Sequence, residues 1–111
     1  MFRRNESKEI LLDWVRFPDA EFFRALSNVT RKRILEVVIN ADTSLKVSDI
    51  GEEVGVKQYT ATKHLNILSR SGWLIRERQE NEVHYRLNPN VIGVLQKISV
   101  SIQGAMAKKL R

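Results

Sequence analysis

The stretch from Val47 to Leu87, VSDIGEEVGVKQYTATKHLNILSRSGWLIRERQENEVHYRL, constrains the fold of this chain more than any other. Its opening reads as a helix with Ile50 and Val54 inward, followed by Val56 just past a turn, and with Asp49, Glu52 and Glu53 near its positive end. Ser48 is the expected N-cap, and Gly55 stands where a left-handed C-cap is needed. A second helix is expected from Gln58 to about Ser71, with Ala61, Leu65 and Leu68 facing inward and Gly72 ending it. Trp73–Arg78 and Glu82–Leu87 then read as strands, because Val83, Tyr85 and Leu87 alternate with His84 and Arg86. Helix, turn, helix and hairpin in that order describe a helix-turn-helix (47–71) with a β-hairpin wing (73–87), a unit that can place one helix in the DNA major groove.

The flanking segments read as helices. Ile10, Leu11, Trp14 and Phe17 share one face of a helix from about Ser7, which Pro18 stops. Asp19 can cap a short helix carrying Phe22, Phe23 and Leu26. A third helix starts at Asn28 or Thr30, opens with Arg31, Lys32 and Arg33, and buries Ile34, Leu35 and Val38 before a polar loop from Asn40 to Ser44. Asn88-Pro89 is a strong helix start, and the helix beyond it carries Val91, Val94, Leu95, Ile98, Ile102 and Met106. Gly93 and Gly104 each cost that helix roughly 1 kcal/mol of propensity, so packing is expected to hold it. The 111 residues are expected to form one mainly α domain with a small β-hairpin.

Composition removes several function classes. The formal charge of +6 and pI near 10 favour an anionic partner, nucleic acid before membrane. The absence of cysteine excludes disulfides, thiolate metal sites and thiol redox switches. The start, MFRRNESKEILLDW, has too short an apolar run for a signal peptide, and no window approaches a membrane span, so a soluble cytoplasmic protein is expected. Ser27, Ser48 and Ser69 have no His and carboxylate at motif spacing, and no glycine-rich phosphate loop is present. No enzymatic activity is expected.

The outward set of the second helix is Gln58, Tyr59, Thr62, Lys63 and Asn66. Gln pairs bidentately with adenine, Lys donates to guanine, and Thr or Tyr offers a hydroxyl and apolar surface to thymine methyls. From Lys57 to Arg78, five basic residues (Lys57, Lys63, Arg70, Arg76, Arg78) face one acidic residue (Glu77), a local charge of +4 suited to phosphate neutralisation. Arg31 can add to it from the third helix.

The run LSNVTRKRIL followed by VSDIGEEVGVKQYTATKHLNILSRSGWLIRERQENEVHYRL resembles the ArsR/SmtB family of winged-helix transcriptional regulators over about Ala20 to Pro89. The TRxxIL start, the KHLNIL core and the SGWL-to-YRL hairpin carry the resemblance. It implies a winged helix-turn-helix homodimer that binds a near-palindromic DNA operator and usually represses transcription. The implied dimer is built from the N- and C-terminal helices (1–17 and 89–111), through Ile10, Leu11, Trp14, Val91, Leu95, Ile98, Ile102 and Met106. Base reading falls on Gln58, Tyr59, Thr62 and Lys63. Backbone contact falls on Lys57, His64, Arg70, Arg76, Arg78, Asn81 and Arg31.

Two departures from the family pattern stand out. Lys57 replaces a common N-cap serine, and the wing tip is Gln79-Glu80-Asn81-Glu82, whose glutamates oppose phosphate. Asn81 is the expected left-handed turn residue. The family's metal sensing finds no ligands, since Asn88 to Arg111 holds no Asp, Glu or His and the chain has only His64 and His84. No cofactor is expected. Two alternatives remain open: a winged helix serving as a protein-interaction module, and a constitutive, nucleoid-like DNA binder without an effector.

Overall fold

The computed structural model describes residues 17–110. The expected helix from Ser7, with Ile10, Leu11 and Trp14, lies outside the described residues. The elements run α1 (Ala20–Arg24), α2 (Val29–Asn40), β1 (Leu45–Lys46), α3 (Val47–Val54), α4 (Gln58–Arg70), β2 (Leu74–Gln79), β3 (Glu82–Leu87) and α5 (Pro89–Lys109). The three strands form one antiparallel sheet in the order β1-β3-β2.

Local chemistry sets most boundaries as expected. Asp19 Oδ1 accepts from the Phe22 N–H at 2.9 Å and starts α1. Of the two candidates for the start of α2, Asn28 is the cap, its Oδ1 accepting from the Arg31 N–H at 3.0 Å. Asn88 Oδ1 accepts from the Asn90 N–H at 3.1 Å with Pro89 in the first turn of α5, and Asn88 Nδ2 donates to Gly72 O at 2.9 Å. The turn between α3 and α4 uses Gly55 in the left-handed region (φ 78°). It also needs Gly51, where a Cβ would stand 3.1 Å from the Val56 carbonyl oxygen and 3.6 Å from the Ala61 Cβ.

The core joins the α1–α4 helices to the inner face of the sheet: Phe22, Ile34, Leu35, Val38, Ile50, Val54, Ala61, Leu65, Leu68, Trp73, Leu74 and Tyr85 are buried together. Phe22 and Trp73 stack with ring centroids 4.1 Å apart, and the Trp73 indole N–H donates to Phe22 O at 2.7 Å. That pair ties α1 to the base of the wing.

Four expectations are corrected. β1 was not foreseen: Leu45 and Lys46 pair with Tyr85 and His84, too short a strand to show alternation. Because β1 passes directly into α3, the N-cap is Lys46, without a side-chain cap bond, and Ser48 lies inside the helix. The positive φ of the wing turn falls on Glu80 (58°) rather than Asn81, because Gln79 pairs with Glu82 and leaves a two-residue connection. Val91, assigned to the dimer face, is 1% exposed and belongs to the protomer's own core. It sits in the first turn of α5, where the Asn88 cap holds the helix against the body of the domain.

Candidate nucleic-acid interface

Ala61, Leu65 and Leu68 anchor α4 by one stripe, which fixes what the opposite side offers. Tyr59, Lys63, Asn66 and Arg70 lie along the outer side, and Gln58 and Thr62 line one flank. Tyr59 is 82% exposed, an unusual setting for an aromatic ring unless a partner covers it. The Thr62 hydroxyl donates to Gln58 O at 2.9 Å, so its proton serves the helix while its oxygen lone pairs stay available. Lys57 is the exposed N-cap residue of α4 and makes no side-chain cap bond. Arg70 stands at the far end, about 18 Å from Gln58 along the axis, with its Nε donating to Asn66 O at 3.4 Å.

The hairpin register sorts the wing's charges by face. Leu74, Arg76 and Arg78 oppose Leu87, Tyr85 and Val83, so the two arginines continue the side of the sheet that carries the buried Leu74 and Tyr85. β2 packs against α4, and past the core this side becomes cationic. Among the described residues neither arginine has an ion-pair partner. The reverse face carries the carboxylates and their partners. Arg86 Nε donates to Glu77 Oε1 at 2.6 Å, while Lys46 Nζ and His84 Nε2 lie 3.1 and 3.5 Å from Glu82 Oε2. Gln79 Nε2 donates to Ser44 Oγ at 3.2 Å, and Ser44 Oγ lies 3.4 Å from His84 Nδ1. Hydrogen bonding from Arg86 holds the Glu77 carboxyl below its ordinary pKa, and Lys46, then His84, does the same for Glu82. Of the two glutamates at the tip, Glu82 therefore turns to the reverse face as half of an ion pair, and Glu80 remains.

Two residues expected on the DNA backbone, Arg31 and His64, bond each other. Arg31 is half-buried; its Nε donates to Ala25 O at 2.7 Å and its Nη1 to His64 Nδ1 at 3.3 Å. Burial, then the charges of Arg31 and Lys63, push the His64 pKa below its ordinary value. Asn81 is exposed at the wing tip beside Glu80. The resemblance could not flag the Arg31–His64 contact, because its partners stand 33 positions apart with no pattern linking them.

On the remaining face, Leu95, Ile98, Ile102 and Met106 form an exposed apolar stripe on α5, whereas Val91 at its start is buried. No helix among the described residues is long and apolar enough to cross a membrane. No group of three or more metal-ligating side chains occurs among them either.

A buried-backed helix with a polar outer face, set beside a hairpin with a cationic inner side, defines a winged helix-turn-helix domain. Residues 28–82 match the family model described as MarR family. The uncharacterized HTH-type transcriptional regulator Rv0081 of Mycobacterium tuberculosis is 31% identical over 68 residues, 61% of this chain and 59% of that protein. The chain thus matches about three fifths of the length of that relative. The crystal structure of Rv0081 has a TM-score of 0.58 at 26% identity, over 83% of this chain and 92% of that one. The homodimeric winged helix-turn-helix DNA-binding domain of Mb0332 from Mycobacterium bovis, described as a possible ArsR-family transcriptional regulator, has a TM-score of 0.62 at 25% identity. That similarity covers 94% of this chain and 91% of the other. The present chain has the winged helix-turn-helix fold of these proteins.

Proposed function

We propose that this chain is a sequence-specific, double-stranded-DNA-binding transcriptional regulator that works as a cytoplasmic homodimer, most simply as a repressor, without catalytic activity or a metal site. The observation that carries this reading is the exposed polar stripe of α4, next to which the packed strand β2 carries Arg76 and Arg78, neither with an ion-pair partner among the described residues. α4 enters the major groove with Gln58, Tyr59, Thr62 and Lys63 at base edges. Lys57, Arg70, Arg76 and Arg78 neutralise phosphates and set the register without reading sequence.

A partner protomer covers the apolar stripe of α5 at Leu95, Ile98, Ile102 and Met106, together with Ile10, Leu11 and Trp14 from the N-terminal segment. Two-fold symmetry then presents two α4 helices about 34 Å apart, one DNA turn, to a near-palindromic operator. The Mycobacterium bovis domain, similar over 94% of this chain, is homodimeric, which supports the dimer itself.

Selection of bound duplexes from a random library tests the reading. A two-fold symmetric motif is expected, and the Gln58→Ala/Lys63→Ala double variant should lose preference for it while remaining folded and dimeric. Unchanged operator affinity of that variant in a gel-shift assay rejects the assigned reading residues. Failure to enrich any duplex rejects DNA recognition itself.

A further inference from the structure

We propose that Arg31 and His64 are positioning residues, a strut that fixes the seating of α4 against α1 and α2, and not phosphate ligands; the inference rests on the DNA-binding reading above. The guanidinium bridges two elements at once, donating from Nε to the Ala25 carbonyl at 2.7 Å and from Nη1 to His64 Nδ1 at 3.3 Å. Both ends are anchored. The Arg31 backbone N–H is held by Asn28 Oδ1 at 3.0 Å, and Ala25 is the C-cap of α1, which the Phe22–Trp73 stack ties to the wing base.

The bond also determines the chemistry of the ring. A guanidinium has only donors, so Nδ1 must be the unprotonated nitrogen and the ring proton must sit on Nε2. The charged groups facing His64 are Arg31 from α2 and Lys63 from its own helix. Both are cations, and both favour the neutral ring that the bridge requires.

Apolar contacts through Ala61, Leu65 and Leu68 set the depth of α4 but are not directional, so they resist rotation about its axis weakly. His64 sits on the flank between that buried stripe and the exposed side carrying Lys63 and Tyr59. A directional bond there fixes which side chains reach base edges. Displacement on the order of 1 Å is enough to lose bidentate base contacts while phosphate contacts, made by flexible side chains, persist.

Four variants, Arg31→Ala among them, separate a strut from a phosphate contact. Arg31→Lys keeps the charge, but one ammonium on a thinner stem cannot serve Ala25 O and His64 Nδ1 together. His64→Leu removes the acceptor, and His64→Asn restores one near the Nδ1 position. Affinities are measured for the selected operator and for a random duplex. For Arg31→Lys and His64→Leu the operator-to-random ratio should fall about tenfold, the worth of one charge-assisted hydrogen bond. Affinity for random duplex and the salt slope should be unchanged, and His64→Asn should recover most of the ratio.

A second readout needs no DNA: nitrogen-correlated NMR of the His64 ring should show the pure Nε2–H tautomer in the wild type and a tautomer mixture in Arg31→Lys. If Arg31→Lys keeps both the ratio and the tautomer, or if Arg31→Ala lowers the salt slope by about one with the ratio intact, the strut is overturned. A wild type with no preferred duplex overturns the DNA-binding reading, whereas the tautomer still decides the bridge.

Discussion

Val91 and Ile102 lie on one stripe of α5, about three turns apart, yet truncating them should do different things. Val91 is 1% exposed in the protomer, so Val91→Ala removes two fully buried carbons and leaves a cavity. At about 0.8 kcal/mol per carbon plus the cavity term, folding should lose about 2 kcal/mol. Ile102 is 54% exposed, so in a dimer built on this stripe roughly half of its surface remains to be covered by the partner. Ile102→Ala removes three carbons; at the same coefficient, scaled by that exposure and counted twice by symmetry, association should weaken by about 2.5 kcal/mol, close to a hundredfold in the dimer dissociation constant.

Sedimentation equilibrium across a concentration series gives the dimer constant, and urea unfolding below that constant gives protomer stability. Val91→Ala should shift the unfolding midpoint with little change in association, and Ile102→Ala the reverse. A dimer that tolerates Ile102→Ala at wild-type strength, or that dissociates with Val91→Ala while the urea midpoint stays put, would refute the assignment of the stripe.

Trp73→Phe keeps the stack on Phe22 but strands the Phe22 carbonyl bonded at 2.7 Å, and urea titration should record a loss of about 1–2 kcal/mol. Stability should fall on acidification in two windows. The His64 pKa is lowered by folding, so protonation favours the unfolded chain as pH drops through its ordinary 6.5; His64→Asn should remove this step. Glu77 and Glu82 are also lowered, so the stability they contribute is present above their ordinary 4.5 and is lost as pH falls through their depressed folded values. Arg76→Ala and Arg78→Ala should weaken binding to all duplexes alike and reduce the salt slope by about one each; a sequence-dependent loss would make them base readers instead.

Features that depend on near neighbours in the chain were legible before folding. The α4 stripe of Ala61, Leu65 and Leu68 follows from helical period alone, and the Asn88-Pro89 start and Gly55 turn follow from backbone preference. What was missed depends on contacts across the fold. Two residues of β1 have no periodicity of their own and become a strand only because Tyr85 and His84 offer an edge. The same edge runs α3 straight on from Lys46 and strips Ser48 of its capping role. Val91 has the same side-chain character as the exposed apolar residues that follow it on α5, and only the seating of that helix buries it. Arg31 reads as a surface cation in a TRKR run, because nothing nearby in sequence reveals that a histidine and a carbonyl lie within its reach.

The wing shows how folding redistributes charge that a count makes invisible. From Leu74 to Leu87, Arg76, Arg78 and Arg86 balance Glu77, Glu80 and Glu82, a formal charge of zero. Strand alternation places Arg76 and Arg78 on one face and the Glu77–Arg86 and Glu82–Lys46 pairs on the other, so the hairpin is cationic on the side toward α4 and neutral behind it. With a screening length of about 8 Å at physiological salt, a phosphate approaching the first face responds chiefly to the near arginines. Glu80 in the turn is the exception, an exposed carboxylate with no ion-pair partner among the described residues. Glu80→Gln should therefore tighten DNA binding by roughly two- to threefold, the scale of one exposed charge. Glu82→Gln removes the same formal charge but frees Lys46 on the far face, and should change affinity little. Equal tightening by both substitutions, measured against one duplex at one salt concentration, would mean that net charge governs the wing and that the sidedness of its strands does not.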